Sequence, residues 1–220
     1  MSQSLPYPWP TRAGGLCGIG AGVLLVAGGV LTLVSVELDI TEGLDLLITV
    51  HDHRTTWVLA AVTIAVAQPL LAPFLVSVWT WHPALGPAVA TGSALVGAGA
   101  VLQLASAVVN VPLGAAVAGD AVAAGDPGLG TAMHDVADGL YFASNSLVGL
   151  GLWALSAGWP SGPVRWLAVV AATANLAVYL GLAVEALWPL GVIGFLAIAV
   201  VTISMGAQIA VTPKAPRGDP

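Results

Sequence analysis

The sequence predicts an all-α membrane protein, a single domain over residues 1–220 built as a polytopic bundle of six transmembrane helices. Of its 220 residues, 58% are hydrophobic and 7% are charged, whereas soluble domains carry about 25% charged residues. Several uncharged runs exceed the ~20 residues that a helix needs to cross the hydrocarbon core of a bilayer. We therefore expect a multi-pass protein of the cell membrane, with the lipid bilayer as its main partner.

Six long apolar segments account for the predicted helices. In chain order they cover about 13–36, 57–78, 88–111, 136–157, 164–184 and 190–211. They are continuous in hydrophobicity rather than alternating with a period of two, which favours helices over the strands of a barrel.

The first three segments are separated by distinct polar and proline signals. A polar connection over 37–56 follows the first segment, and its apolar stretch 44–50 is too short to span, so it is predicted to lie along the membrane interface. The second segment contains Pro69 and Pro73, which predict a kink or an interruption. The third segment is rich in glycine and alanine and is predicted to end at Pro112.

The last three segments follow a stretch of small residues. Residues 113–131 are predicted to form a loop, with a turn signal at 126–128. The fourth segment leads out of this loop, and a tight connection over 159–163 joins it to the fifth. Tryptophans at the ends of several segments are typical of membrane–water interfaces.

The distribution of basic residues predicts the orientation, because cytoplasmic connections carry an excess of lysine and arginine. With both the N and C termini in the cytoplasm, only Arg54 lies on the outer side. The other four basic residues then face the cytoplasm: Arg12, Arg165, Lys214 and Arg217. Every acidic residue except Asp219 falls in or beside an outer connection, so the outer surface is predicted to be acidic.

The stretch from Thr131 to Ser146 carries the most informative polar pattern. His134, Asp138, Tyr141 and Asn145 are spaced by four, three and four residues, which places them on one face of a helix. A polar face entering a bilayer is expected to meet polar neighbours in the bundle or water.

Two histidine-containing segments suggest a metal site on the outer side. In an extended loop, His51 and His53 would point the same way, and His134 and Asp138 would add two ligands from one helical turn. Such a set suits zinc or a similar divalent metal, which could activate water to cleave a lipid amide or ester. The alternative is that the loop histidines are solvated and that His134 simply pairs with Asp138.

A second group of polar residues is predicted inside the membrane. Its members are Gln68, Gln103, Tyr141, Asn145 and Asn175. Because amides need partners in lipid, they should face the bundle interior. They could line a path or pocket for a small solute, or they could form interhelical hydrogen bonds worth only ~0.6–2 kcal/mol each.

Several functional classes lack their signatures. There is no P-loop or dinucleotide fingerprint, so no nucleotide is expected. The only lysine, Lys214, lies in the tail and cannot hold retinal, and no histidine pair within the spans could ligate haem. Five basic residues give no footprint for nucleic acid, and Cys17, the only cysteine, allows no intramolecular disulfide.

These observations favour a non-enzymatic membrane protein. It would be a small-solute binding or transport component, or a helical subunit that packs with other membrane subunits or with copies of itself. Because no carboxylate lies at mid-membrane, ion-coupled transport is not favoured. The alternative from another class is a metal-dependent membrane hydrolase that uses the outer His/Asp site.

The chain also resembles an uncharacterised prokaryotic family of six-helix membrane proteins that is classed as a domain of unknown function. The resemblance rests on Arg12-Ala13-Gly14 at the start of the first segment, on Arg54 before the second, and on residues 147–152 ahead of Trp159-Pro160. It covers nearly the whole chain through composition rather than a motif. It implies the six-helix fold and no catalytic residues.

Overall fold

The computed structural model describes residues 11–35, 43–81, 86–183 and 189–211, with side chains for all of these except 11, 35, 178–183 and 189–192. Every regular element in these ranges is a helix, which confirms the all-α class. In chain order the α-helices are α1 (Thr11–Ser35), α2 (Leu44–Asp52), α3 (Arg54–Trp81), α4 (Gly86–Pro112), α5 (Ala118–Ala124), α6 (Gly128–Gly158), α7 (Pro163–Ala183) and α8 (Pro189–Val211). A π-helix, Leu113–Val117, joins α4 to α5.

Five stretches of the described chain are long and apolar enough to cross a membrane. They are Arg12–Val34, Arg54–Trp81, Gly86–Ala124, Gly128–Gly158 and Ile193–Val211. Helix α7 has 21 residues, and the part of it with described side chains, Pro163–Ala177, is apolar but shorter than a span. Large apolar side chains such as Val101, Trp166 and Val170 are more than half exposed on the outside of the bundle. This surface suits a protein embedded in lipid.

The six long helices form a closed ring. Each packs against the next in the order α1, α3, α4, α6, α7 and α8, and α8 packs back against α1. Helices α1 and α8 run antiparallel. Gly15 near the start of α1 lies close to Ala210 near the end of α8, and Gly29 near the end of α1 lies close to Phe195 near the start of α8. The ring therefore has an axis that the long helices surround.

Small residues allow these helices to approach closely. A Cβ on Gly92 of α4 would lie 2.7 Å from the carbonyl oxygen of Gly151 on α6, and a Cβ on Gly151 would lie 2.8 Å from that of Gly92. Gly15 and Gly206 face each other in the same way between α1 and α8. Without a hydrophobic driving force in lipid, such close packing is a main source of association between helices.

The prediction of a loop over 113–131 is wrong. The chain continues from α4 through the π-helix into α5, and only Gly125 to Pro127 separate α5 from α6. Alanine, which is common in this stretch, is the strongest helix former, so a small-residue composition did not indicate a loop here. The turn signal itself is confirmed: Gly125 has φ 66°, and the Gly128 N–H donates to Asp126 Oδ1 at 2.9 Å.

The extra helical residues build a cap over one end of the ring. The continuous stretch Gly86–Ala124 has 39 residues, about 58 Å at 1.5 Å per residue, which exceeds the ~30 Å of hydrocarbon. Its end therefore projects beyond the bilayer core. There α2 and α5 pack together through a small apolar cluster that includes Leu47, Val50, Leu113 and Ala121. The short interfacial stretch predicted at 44–50 is thus helix α2.

The two ends of the ring differ in charge and in aromatic content. At the end opposite the cap, the Trp81 and Trp159 rings stack with centroids 5.1 Å apart, and Trp159 Nε1 donates to Gln208 Oε1 at 3.1 Å. Arg12 and Arg165 begin helices at this end. The described acidic residues all lie at the cap end: Asp45, Asp52, Asp120, Asp126, Asp135 and Asp138.

Candidate functional site

A small cavity of about 40 Å³ lies on the axis of the ring. Side chains from α1, α3, α4, α6 and α8 surround it, most of them apolar. A buried water needs about 10–15 Å³ by the same measure, so the space suits a few water-sized groups. Its polar lining comes from four helices: Gln68, Gln103, Ser144, Asn145 and Thr202.

Three of the five residues predicted as an intramembrane polar group meet at this cavity. Gln68 is 6% exposed, and its Nε2 donates to the carbonyl oxygen of Ile64 at 3.2 Å. Asn145 is 2% exposed and is hydrogen-bonded to the Tyr141 side chain. Gln103 is 8% exposed and has no hydrogen-bond partner within the described ranges. The Gln103 amide is therefore free to bind whatever occupies the cavity.

The other two predicted residues have supporting positions. Tyr141 packs beside a small apolar cluster next to the cavity and holds Asn145. Asn175 lies away from the axis and joins α7 to α8: its Nδ2 donates to the carbonyl oxygens of Ala171 at 2.7 Å and Gly194 at 2.9 Å. Asn175 thus forms the interhelical hydrogen bond that was the alternative interpretation for this group.

Two hydroxyl groups of the cavity were not identified from the sequence. Ser144 Oγ donates to the carbonyl oxygen of Gly99 at 2.8 Å and ties α6 to α4. Thr202 Oγ1 donates to the Ile198 carbonyl oxygen of its own helix at 2.8 Å. Serine and threonine occur throughout the spans, and only tertiary packing distinguishes those on the axis from those facing lipid.

The predicted polar face of α6 leads from the cap to the cavity. His134 Nε2 lies 3.4 Å from Asp138 Oδ2, and one turn deeper Tyr141 is bonded to Asn145. Further along the same face, Val148, Leu152 and Leu155 line the cavity. The spacing of these residues in the sequence therefore predicted a continuous stripe correctly.

The four predicted metal ligands do not converge in the described part of the chain. No group of three or more His, Cys, Asp or Glu side chains there is placed to hold a metal ion. The premise of an extended loop is wrong, because His51 lies in α2 and His53 follows it as the helix C-cap. Residues two apart on a helix point in different directions. His51 packs instead near Gly119 of α5, while His134 and Asp138 form the predicted pair.

A second polar region lies between the cap and the ring. The rings of Trp57 and His134 have centroids 6.4 Å apart. Trp57 Nε1, Asn110 Oδ1, Thr131 Oγ1 and His134 Nδ1 are all buried without a hydrogen-bond partner among the described residues. We call this region the cap junction. Of its members, the sequence identified only His134 as a site residue.

Comparison with known proteins finds no family model, no curated protein and no solved structure that matches this chain. The resemblance to the uncharacterised six-helix family therefore stays a prediction.

Proposed function

We propose that the chain is a six-span protein of the cell membrane, with both termini in the cytoplasm, that binds and passes a small neutral polar solute along the axis of the ring. The observation that carries the proposal is the axial cavity with amides from three helices. α7 supplies the sixth span, since its 21 residues are enough to cross ~30 Å of hydrocarbon. The cap end, where the acidic residues gather, is the outer side.

The lining of the cavity favours a neutral solute. Its polar groups are amides and hydroxyls, and none of the described side chains that border it is charged. An ion in a site without a counter-charge would have to be desolvated at a large free-energy cost. An amide or hydroxyl group could instead exchange its hydrogen bonds to water for bonds to Gln103 and Asn145.

The size of the cavity favours a small solute and a protein that opens. About 40 Å³ holds a few water-sized groups and is far below the ~300–1,000 Å³ of ordinary ligand pockets. The ring therefore represents a closed state, and passage requires neighbouring helices to separate. Water, ammonia, urea and glycerol form a suitable series of increasing size.

The other predicted roles have less support. A subunit role predicted a free face of small residues on α1 or α4, but Gly14, Gly18 and Gly22 pack against α3 and α8, and Gly92 and Gly99 pack against α6. The hydrolase alternative requires a set of metal ligands that the described residues do not bring together. Neither role explains why amides meet on the axis.

Solute flux into liposomes tests the proposal. Purified protein would be reconstituted, and the permeability to water, urea and glycerol would be measured by stopped-flow light scattering. We expect faster uptake of at least one solute than in protein-free liposomes, and a loss of most of this increase in Gln103→Leu, which removes the free amide at similar volume. Wild-type flux equal to that of empty liposomes for the whole series, ammonia included, would refute the proposal.

A matched pair of threonines controls for nonspecific effects. Thr202 lines the cavity, whereas Thr173 of α7 is exposed on the lipid-facing surface, and its hydroxyl makes the same bond to its own helix at 2.9 Å. Thr202→Val should alter the flux, and Thr173→Val should not. Equal effects of the two substitutions would mean that the cavity has no special role.

A further inference from the structure

The cap junction concentrates the unsatisfied polar atoms of the structure. In the described chain, five side-chain nitrogen or oxygen atoms are completely buried and lack a hydrogen-bond partner, and four of them belong to the junction. Such atoms are rare in folded proteins because each loses its bonds to water without replacement. The four lie on three helices around the Trp57–His134 ring contact, where water or a small polar ligand could complete their hydrogen bonds.

Contacts along the chain bring these residues together. A Cβ on Gly114 would lie 2.6 Å from Trp57 Cδ1 and 3.3 Å from Trp57 Cγ, so the five-membered ring of the indole packs against the π-helix. Asn110 lies one helical turn before Gly114. On α6, Thr131 lies one turn before His134, whose ring contacts that of Trp57. The indole therefore packs close to both the π-helix that follows α4 and the His134 ring of α6.

The junction has a definite set of donors and acceptors. Trp57 Nε1 only donates, and Asn110 Oδ1 only accepts, since Asn110 Nδ2 donates to the Ser106 carbonyl oxygen at 3.1 Å. His134 Nε2 faces the carboxylate of Asp138, so in a neutral imidazole this nitrogen carries the hydrogen and Nδ1 accepts. Thr131 Oγ1 can do either. A ligand that contacts all four groups must therefore donate to three and accept from one, or donate to two and accept from two.

This pattern excludes simple ions. An anion would meet the lone pairs of Asn110 Oδ1 and His134 Nδ1, and a metal cation would meet the Trp57 N–H. A neutral molecule with an amide or hydroxyl group supplies both kinds of partner. The ligand chemistry is thus the same as that favoured by the axial cavity, which the stripe from His134 to Asn145 connects to the junction.

We propose that the cap junction is a second binding site, the outer station at which a small neutral amide or alcohol first leaves water before it reaches the axial cavity. This proposal rests on the proposed function for its direction of passage. The π-helix that borders the site fits this role, since such segments occur frequently at functional sites. Binding at the junction is nevertheless measurable without any transport.

The test is a titration of the indole N–H signals of ¹⁵N-labelled protein in detergent, with urea and glycerol as probes. The Trp57 signal is identified by its loss in Trp57→Phe. We expect it to shift saturably with at least one of the two neutral probes and not with ammonium chloride or sodium formate. Thr131→Val, which removes a hydroxyl at similar volume, should weaken the apparent affinity by about threefold to tenfold, the loss of one hydrogen bond.

Trp79 is the matched control, because it lies on the same helix and is 60% exposed. Its signal should not follow the probes, and Trp79→Phe should leave the Trp57 titration unchanged. The proposal would be overturned if the Trp57 indole exchanges with water but its signal does not shift with either neutral probe, or if it shifts equally with the ions.

The two proposals can fail separately. If Gln103→Leu lowers the flux while the Trp57 signal does not respond to the probes, the junction is not a binding site and the axial function stands. If instead the Trp57 signal responds to the probes while the wild-type protein gives no flux above that of empty liposomes, the junction is a binding site and the proposed passage of solute is wrong.

Discussion

Buried amides and hydroxyls of this protein have two different roles that depend on where each residue lies around the ring. Asn175 and Ser144 donate to backbone carbonyls of neighbouring helices and hold those helices at a fixed level. Gln103 has no such bond and faces the cavity. Burying an amide without a hydrogen-bond partner in a membrane costs free energy. Asn175 and Ser144 therefore stabilise the ring, whereas the Gln103 amide is available to a ligand.

Replacing Asn175 tests the stabilising role. Asn175→Ala removes the hydrogen bond to Gly194 of α8 and a second bond to Ala171 of its own helix. We expect a loss of roughly 0.6–1.7 kcal/mol in the free energy of unfolding, with a lower midpoint of thermal unfolding in detergent. Thr173→Val on the exposed side of the same helix should leave the midpoint unchanged. If Asn175→Ala has the same unfolding midpoint as the wild type, the Asn175 side chain does not stabilise the contact between α7 and α8.

The site could be predicted from the sequence only in part. Amides in apolar spans must face the interior, so Gln68, Gln103 and Asn145 were identifiable from polarity alone. Trp57 and Thr202 were not, because a tryptophan at a span end is typical of the interface and a threonine can bond its own helix anywhere. Which side each faces depends on how the helices are rotated in the ring.

At the scale of elements, apolar runs located the helices well and their ends poorly. The structure extends the second span to Arg54–Trp81 and starts the fourth at Gly128, because polar residues continue a helix once it leaves the bilayer. Helix α5 was not predicted, because a long apolar run indicates a membrane span, and a short helix outside the bilayer has no such run. The tight connection at 159–163 was confirmed, as α6 ends at Gly158 and α7 begins at Pro163.

The close contact between α4 and α6 requires glycine at position 151, and this requirement can be tested. Gly151→Ala places a methyl group 2.8 Å from the carbonyl oxygen of Gly92, so α4 and α6 must separate, and we expect a loss of about 1–3 kcal/mol of stability. The matched substitution is Gly139→Ala on the same helix, where nothing lies within 4 Å of the new methyl group. There the higher helix propensity of alanine should leave stability unchanged or raise it by up to about 1 kcal/mol. The midpoints of thermal unfolding of both variants would be measured in the same detergent. Equal midpoints would argue against the close contact of α4 with α6 at Gly151.

For the whole molecule, charge and topology are consistent with each other. The ring places Arg12 and Arg165 at one end, and the cap with its acidic residues at the other. The proposed orientation, with the cap outside, follows the positive-inside rule and leaves Arg54 as the basic residue on the cap side among those described. The membrane class and the long apolar helices could be predicted from the sequence because they depend on sums over many residues, whereas the closure of the ring depends on a few glycine contacts.

Labelling of single cysteines tests the orientation. In a Cys17→Ser background, Asp52→Cys lies on the cap and Ser161→Cys lies at the opposite end, and both positions are exposed. In intact cells a membrane-impermeant maleimide should label position 52 and should reach position 161 only after lysis. The opposite pattern would invert the orientation, and labelling of both positions in intact cells would contradict the proposed spans.

The proposed function requires the axis of the ring to be a hydrated polar site rather than a dry core. The most direct measurement compares the reaction rates of Thr202→Cys and Thr173→Cys with a small hydrophilic methanethiosulfonate in the same Cys17→Ser background. A thiol reacts as its thiolate, which forms where water is present and is suppressed in apolar surroundings. We predict that position 202 reacts much faster than position 173 and is protected by the solute that the protein passes. A folded protein in which both cysteines are equally inert would mean that the axis is dry and would contradict the proposed function.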